Sequence, residues 1–200
     1  MTFDASLETI MNAASFAAGT VTSAHQHDAM DRWAGFLSIT NEAPSTKNFA
    51  DTDITTTGDY INISAHGYKV GLLGTLTTTG ALPTGLANNV NYYVINNAAG
   101  SIKLATSRAN ALAGTAITLA KDGNGTHSFK ATALGGLDVH WQGSLDGSTY
   151  VNLSGSTLAA ATTGDLQNFS TLTYNYVRAD STLTSGQITV TAKVRSLGQR

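Results

Sequence analysis

The stretch DVHWQGSLDGSTYVNL, residues 138–153, holds the densest set of groups in this chain that could do chemistry. Asp138 and His140 stand two apart, so on a strand they share a face and have the makings of a metal or acid–base pair. Val139, Trp141 and Leu145 then belong to the opposite, core-facing side. Asp146-Gly147 has turn chemistry, because Asp accepts from nearby backbone amides and Gly tolerates positive φ. The expectation is an exposed polar strand face closed by a hairpin turn, serving as a contact surface.

AHQHD offers the most metal-like spacing. His25 and His27 on a strand project to one side, with Asp28 beside them, and neutral imidazole suits zinc or nickel. A structural zinc site needs about four ligands. Completing one requires His66, His127 or His140 to fold close, or a symmetry mate to contribute, so no metal is expected. His66 (AHGYK) and His127 (GNGTHSF) flank the middle of the chain, where structural roles near a junction are expected. DGNG, residues 122–125, lacks the spaced carboxylates of a calcium loop and reads as a tight turn. No nucleophile elbow, phosphate loop or His-Glu-x-x-His pattern is present, which argues against an enzyme and against a bound cofactor.

The aromatics carry a different chemistry. Tyr on a sheet can stack on a sugar ring or supply interface area with a hydrogen-bonding tip. Tyr92, Tyr93, Tyr174 and Tyr176, with His140 and Gln142 beside them, are the expected contacts for a partner or a glycan. The alternation in YNYV puts Tyr174 and Tyr176 on one face. Tyr150 and Trp141 are weighed with them, with core packing the competing role.

Composition limits the partners. The chain is 42% hydrophobic and 12% charged, about half the usual charged fraction. Ser, Thr, Asn, Gly and Ala take the place of charge, which suits strands with hydroxyl-rich faces and many turns. A net charge of −2 with scattered Lys and Arg gives no basic stripe for a phosphate backbone, so nucleic acid is not an expected partner. There is no apolar run long enough for a membrane helix. Asp4 and Glu8 stand where a secretion signal needs positive charge, so use without secretion is expected. Cysteine is absent, which rules out disulfides and thiolate metal sites.

The elements that must position these residues fall into three segments. Residues 1–50 hold SLETIMNAASFAAG, where Leu7, Ile10, Met11 and Ala14 have helical spacing behind Ser6, though an extended arm fits equally, and then the strand WAGFLSIT. Residues 51–130 hold a hairpin over VNYYVINNAAGSIKLAT and a short helix, TSRANALAG, capped by Ser107 or Thr106 and stopped by Gly114. They close with two strands around Asp-Gly-Asn-Gly. Residues 131–200 hold the opening hairpin and a second one, TYNYVRADSTLTSGQITVTAKVRS, turning at Ser185-Gly186. The expected architecture is mainly β: an antiparallel, jelly-roll-like β-sandwich built from the first and third segments. The middle segment, a small β-rich domain with one short helix, interrupts it.

The run from Ile63 to Phe129 resembles a module of tailed-bacteriophage structural proteins. The resemblance lies in the His-Gly-Tyr turn, LPTGL, YYVI, IKLATS with ANALAG, and the closing Gly-x-Gly-Thr-His. The flanks, with WQGSLDGSTYVNL, YNYVRAD and SGQITVTAKV, resemble sandwich domains of virion surfaces. The resemblance implies a non-enzymatic virion protein, assembled in the host cytoplasm. The resemblance gives no position on the virion. Small neutral side chains and many hydroxyls suit wide, wet contacts. The leading expectation is therefore a capsid decoration protein bridging capsid subunits against internal pressure, with the major capsid protein, other virion proteins and copies of itself as partners. A tail, neck or fibre adhesive module binding a host-surface glycan is the alternative.

Overall fold

In a computed structural model, residues 8–26, 33–42, 44–136, 138–153, 158–159, 165–169 and 174–196 are described. The strands in chain order are β1 (Glu8–Gln26), β2 (Trp33–Asn41), β3 (Lys47–Ala50), β4 (Ile54–Thr55), β5 (Tyr60–Asn62), β6 (Leu73–Thr78) and β7 (Asn91–Ala98). They continue with β8 (Ser101–Ala105), β9 (Thr126–Ala131), β10 (Asp138–Ser144), β11 (Val151–Asn152), β12 (Leu158–Ala159), β13 (Asp165–Phe169) and β14 (Tyr176–Ser196). One α-helix, α1 (Arg108–Ala113), lies between β8 and β9. The fold is mainly β, in two antiparallel seven-stranded sheets. Strands β1, β2 and β10–β14 form one, and β3–β9 form the other, in the order β3-β9-β6-β7-β8-β5-β4.

The first sheet is organised by the 21-residue strand β14. β1 pairs with it from Glu8 opposite Val194 to Gln26 opposite Tyr176. β2 and β10 share its other edge: Asn41 stands opposite Ile188 and Asp138 opposite Thr182. They run in the same direction, one after the other, so the second sheet occupies a break in what is otherwise one continuous line of pairing.

The sequence of β14 records that break. Val177, Ala179, Ser181 and Leu183 are buried at odd positions, whereas Ile188, Val190 and Ala192 are buried at even ones. A period-two strand can change parity only through an irregularity. Here Ala17 faces Gln187 while Gly19 faces Leu183, so β14 spends extra residues on the bulge. Gly186 takes φ +82 within it, and an added Cβ would lie 2.8 Å from Leu134 Cα. The Ser185-Gly186 pair, expected to turn a hairpin, is instead this bulge in an unbroken strand. Of the two readings of the stretch behind Ser6, helix or extended arm, the extended one is found: from Glu8 onward the chain is strand β1, because pairing along β14 outweighs the helical preference of its alanines.

The second sheet follows its sequence more closely. β7 and β8 form the expected hairpin, with a register shift between Asn96 and Ala98. Ser107 Oγ caps α1 by accepting from Asn110 N at 3.1 Å, and Gly114 ends it at φ +74. The strand expected before Asp122 does not form. Residues 115–125 are irregular, and their backbone donors find separate acceptors: Ile117 N on Leu104 O, Leu119 N on Asp59 Oδ1 and Gly123 N on Asp51 Oδ1. Ile61, Leu72, Leu76, Ile102, Leu104 and Phe129 fill the core, each no more than 1% exposed. Tyr68 reaches through it to donate from its hydroxyl to Ser45 O at 2.9 Å. Burial pushes that phenol up to about 12.

Candidate functional site

β10 is buried on both faces, which its alternating sequence does not suggest. Val139 and Trp141 are fully buried on one side. On the other, His140 is 6% and Gln142 9% exposed, so the expected exposed polar face is an interior one. Burial follows from pairing. β14 stands on one edge, with Asp180 opposite His140 and Arg178 opposite Gln142, and β11 stands on the other, with Asn152 opposite Gln142.

Buried polar groups require partners, and these residues supply one another. Gln142 Oε1 accepts from Arg178 Nε at 2.6 Å, and Gln142 Nε2 donates to Asn152 Oδ1 at 2.7 Å. His140 Nδ1 lies 3.4 Å from Asp138 Oδ1 and its Nε2 3.3 Å from Asp180 Oδ2. The Arg178 guanidinium stacks over the Tyr150 ring, 4.0 Å from its centroid. Asp138 and His140 are thus neighbours, as their spacing predicts. Arg178 and Asp180, about forty residues later, complete the cluster. A signal for them existed in the sequence: two charged residues at alternate positions of the apolar run YVRADSTL.

Asp146 organises the loop beyond β10. Its Oδ1 accepts from Ser144 Oγ at 2.9 Å and from the backbone N–H of Ser148 and Thr149, each at 2.8 Å. The Thr149 and Ser148 amides hold its carboxyl well below the usual carboxylate range. The loop is longer than a two-residue hairpin turn, since β10 ends at Ser144 and β11 begins at Val151. Leu145, expected to face inward, is 61% exposed.

The contact residues expected from sequence do not converge. Tyr92 belongs to the second sheet and is a core residue, 5% exposed, whose hydroxyl accepts from Ala87 N at 2.8 Å. Tyr93 lies half-buried on the opposite face of β7. Tyr174 covers Gly143, whose added Cβ would meet the ring at 2.5 Å, on the Trp141 side of the sheet. Tyr176 pairs in register with Ser144 and lies over Gly147. The bend at Asn175 places these two rings on different sides of the sheet, not on the one face expected. Gly143, Ser144, Leu145, Asp146, Thr149, Val151 and Tyr174 enclose a pocket of about 240 Å³. Its walls are chiefly carbon, better suited to an apolar side chain than to a hydroxylated ring.

His66 and His127 are each hydrogen-bonded within the second sheet. His66 accepts from Tyr68 N on Nδ1 and meets Ala98 O with Nε2 at 2.8 Å. His127 pairs with Thr78 Oγ1 at 2.8 Å and packs against Phe49, and burial lowers its pKa. Asp122 and Asn124 of DGNG do not close a local turn. They fasten the 81–84 loop, accepting from Thr84 N at 2.7 Å and Ala81 N at 3.0 Å. The His25–His27 pair falls outside the described residues, apart from the place of His25 on β1 opposite Val177. Among the described residues no group of three or more His, Asp or Glu is placed to hold a metal ion. No helix among them is long and apolar enough to cross a membrane. Comparison with known proteins finds no family whose pattern fits the chain and no curated relative.

Proposed function

We propose that the chain is a non-enzymatic virion structural protein of a tailed phage, working as a capsid decoration protein that bridges neighbouring subunits. Two things support this reading: the phage-like motifs between Ile63 and Phe129, and the geometry of β1. The second carries it. β1 is a 19-residue strand, about 60 Å long at the usual rise, and among the described residues it pairs with β14 alone. Between Thr9 and Gln26 it has no proline and no formally charged residue, neutral histidine aside. Those are the devices that normally guard an exposed edge. An unguarded edge of this length suits pairing with a strand of a neighbouring chain, whether a capsid subunit, another virion protein or a second copy. Cryo-electron microscopy of intact particles tests the reading. The expected map shows the chain on the capsid lattice with β1 against a neighbour, and particles without the chain overturn it.

The second reading, an adhesive module on a tail, neck or fibre, draws on the pocket beside Tyr174. Its aromatic wall is open to a ligand, though its carbon lining favours a glycan only through stacking. A glycan array with no bound sugar removes this alternative.

A further inference from the structure

His140 is held where one of its ring nitrogens faces two contradictory partners. Its Nε2 lies 3.3 Å from Asp180 Oδ2 and 3.2 Å from Gln142 Nε2. A carboxylate only accepts and a carboxamide nitrogen only donates. Nε2 must therefore carry a proton to serve Asp180, or a lone pair to serve Gln142.

Gln142 cannot settle the conflict by turning over. Its Oε1 accepts from Arg178 Nε at 2.6 Å and its Nε2 donates to Asn152 Oδ1 at 2.7 Å. A turned carboxamide would set its nitrogen against the guanidinium and its oxygen against the Asn152 oxygen. Arg178 is itself fixed over Tyr150, 4.0 Å from the ring centroid.

We propose that His140 is a two-state proton switch that exchanges a bond to Gln142 for a bond to Asp180. In the neutral state Nδ1–H donates to Asp138 and Nε2 accepts from Gln142, so the ring is bonded within β10 alone. Taking up one proton from solvent puts a hydrogen on Nε2. The ring then keeps Asp138, donates to Asp180 across the β10–β14 ladder, and releases Gln142.

Among the described residues the charged groups facing the ring are Asp138 from β10 and Asp180 from β14, with Arg178 of β14 one step away on Gln142. β11 contributes the neutral Asn152, and the register positions on β1 and β12 beside Asp180 and Asp138 are Thr22 and Ala159. With two carboxylates and one guanidinium present, an imidazolium brings the four groups to zero net charge. The two carboxylates meet different ring nitrogens, so the cluster does not converge on a point as metal ligands do. Protonation thus adds a bond between β10 and β14 and removes one within β10, while Gln142 keeps Asn152 of β11 and Arg178 of β14.

Side-chain NMR of the full chain, followed from about pH 8 to about pH 5 where histidine changes charge, tests the switch without a substitution. The expected result is His140 with hydrogen on Nδ1 alone at the upper end and on both nitrogens at the lower. The Gln142 carboxamide signals move with the same midpoint. Asp180→Asn, which removes the competing acceptor's charge, moves the midpoint to lower pH. A hydrogen on Nε2 already present at the upper end overturns the proposal. So does a ring that does not titrate, a Gln142 that stays still while the ring titrates, or an Asp180→Asn midpoint that is unchanged.

Discussion

Gln187 on β14 donates from its carboxamide to the carbonyl of Gly67 in the second sheet's 67–69 loop, at 2.9 Å. The same side chain accepts from Lys69 N at 3.0 Å and donates to Glu42 Oε2 at 3.3 Å. It is 3% exposed. A single buried amide therefore joins a strand of one sheet, a loop of the other and the start of the connection between them. Glu42 completes the arrangement, accepting from the Thr189 hydroxyl and pairing with Lys69 at 3.9 Å.

Replacing Gln187 by Ala removes the partner of the Lys69 donor and of the Gly67 acceptor, two part-buried hydrogen bonds between the sheets. The expected loss is about 1–3 kcal/mol, read as a lower urea midpoint. A midpoint equal to that of the parent chain shows that the amide does not tie the sheets.

Gly186→Ala puts a Cβ on a residue at φ +82, within 2.8 Å of the Leu134 backbone. The cost is expected to exceed about 1 kcal/mol, because the conformation and the space are both wrong for a side chain. Gly100 has nothing within 4 Å of its Cβ position, so Gly100→Ala stays within about 0.5 kcal/mol of the parent. Thermal unfolding of the two variants side by side measures the contrast.

His127 gives the fold an acid sensitivity. Burial lowers its pKa in the folded chain, whereas the unfolded chain binds the proton near about 6.5. Protons therefore favour unfolding: stability from this residue is complete above about pH 6.5 and declines as pH falls toward the lowered folded value. Urea midpoints compared at about pH 7.5 and about pH 5 should fall less in His127→Leu than in the parent chain.

Asp146 behaves in the same sense but locally. Its carboxyl is held low by the Thr149 and Ser148 amides, so its support of the 144–149 loop is present above the ordinary Asp range and lost as pH falls below it. Amide exchange at Ser148 and Thr149 should quicken in Asp146→Asn at neutral pH, with the β14 amides unchanged. Equal exchange in both chains argues against the carboxylate as the loop's organiser.

Local features of this fold are plain in its sequence, and the failures have long-range causes. Period-two alternation marks β7, β8 and both halves of β14, and Ser107 with Gly114 bounds α1, because each depends on neighbours a few residues away. The β1 strand is hidden, since its Ala-rich start has helical spacing and only β14 imposes extension. The interior position of His140 is hidden for the same reason: Asp180 and Arg178 must arrive from another strand before the face closes. Gly186 misleads because Ser-Gly between two alternating runs has the chemistry of a turn. The parity change from Val177 to Ile188 is the clue that distinguishes a bulge.

The placement of the second sheet has a mechanical consequence. The chain leaves β2 at Asn41 and re-enters at Asp138, opposite Ile188 and Thr182 of the same strand. Tension along β14 is carried in shear by its ladder with β1, which loads many hydrogen bonds together rather than one after another. The second sheet hangs from adjacent points at the middle of that ladder and is tied there by Gln187 to Gly67 and Lys69, so a force on it enters β14 beside the bulge and not at the ends of the strand.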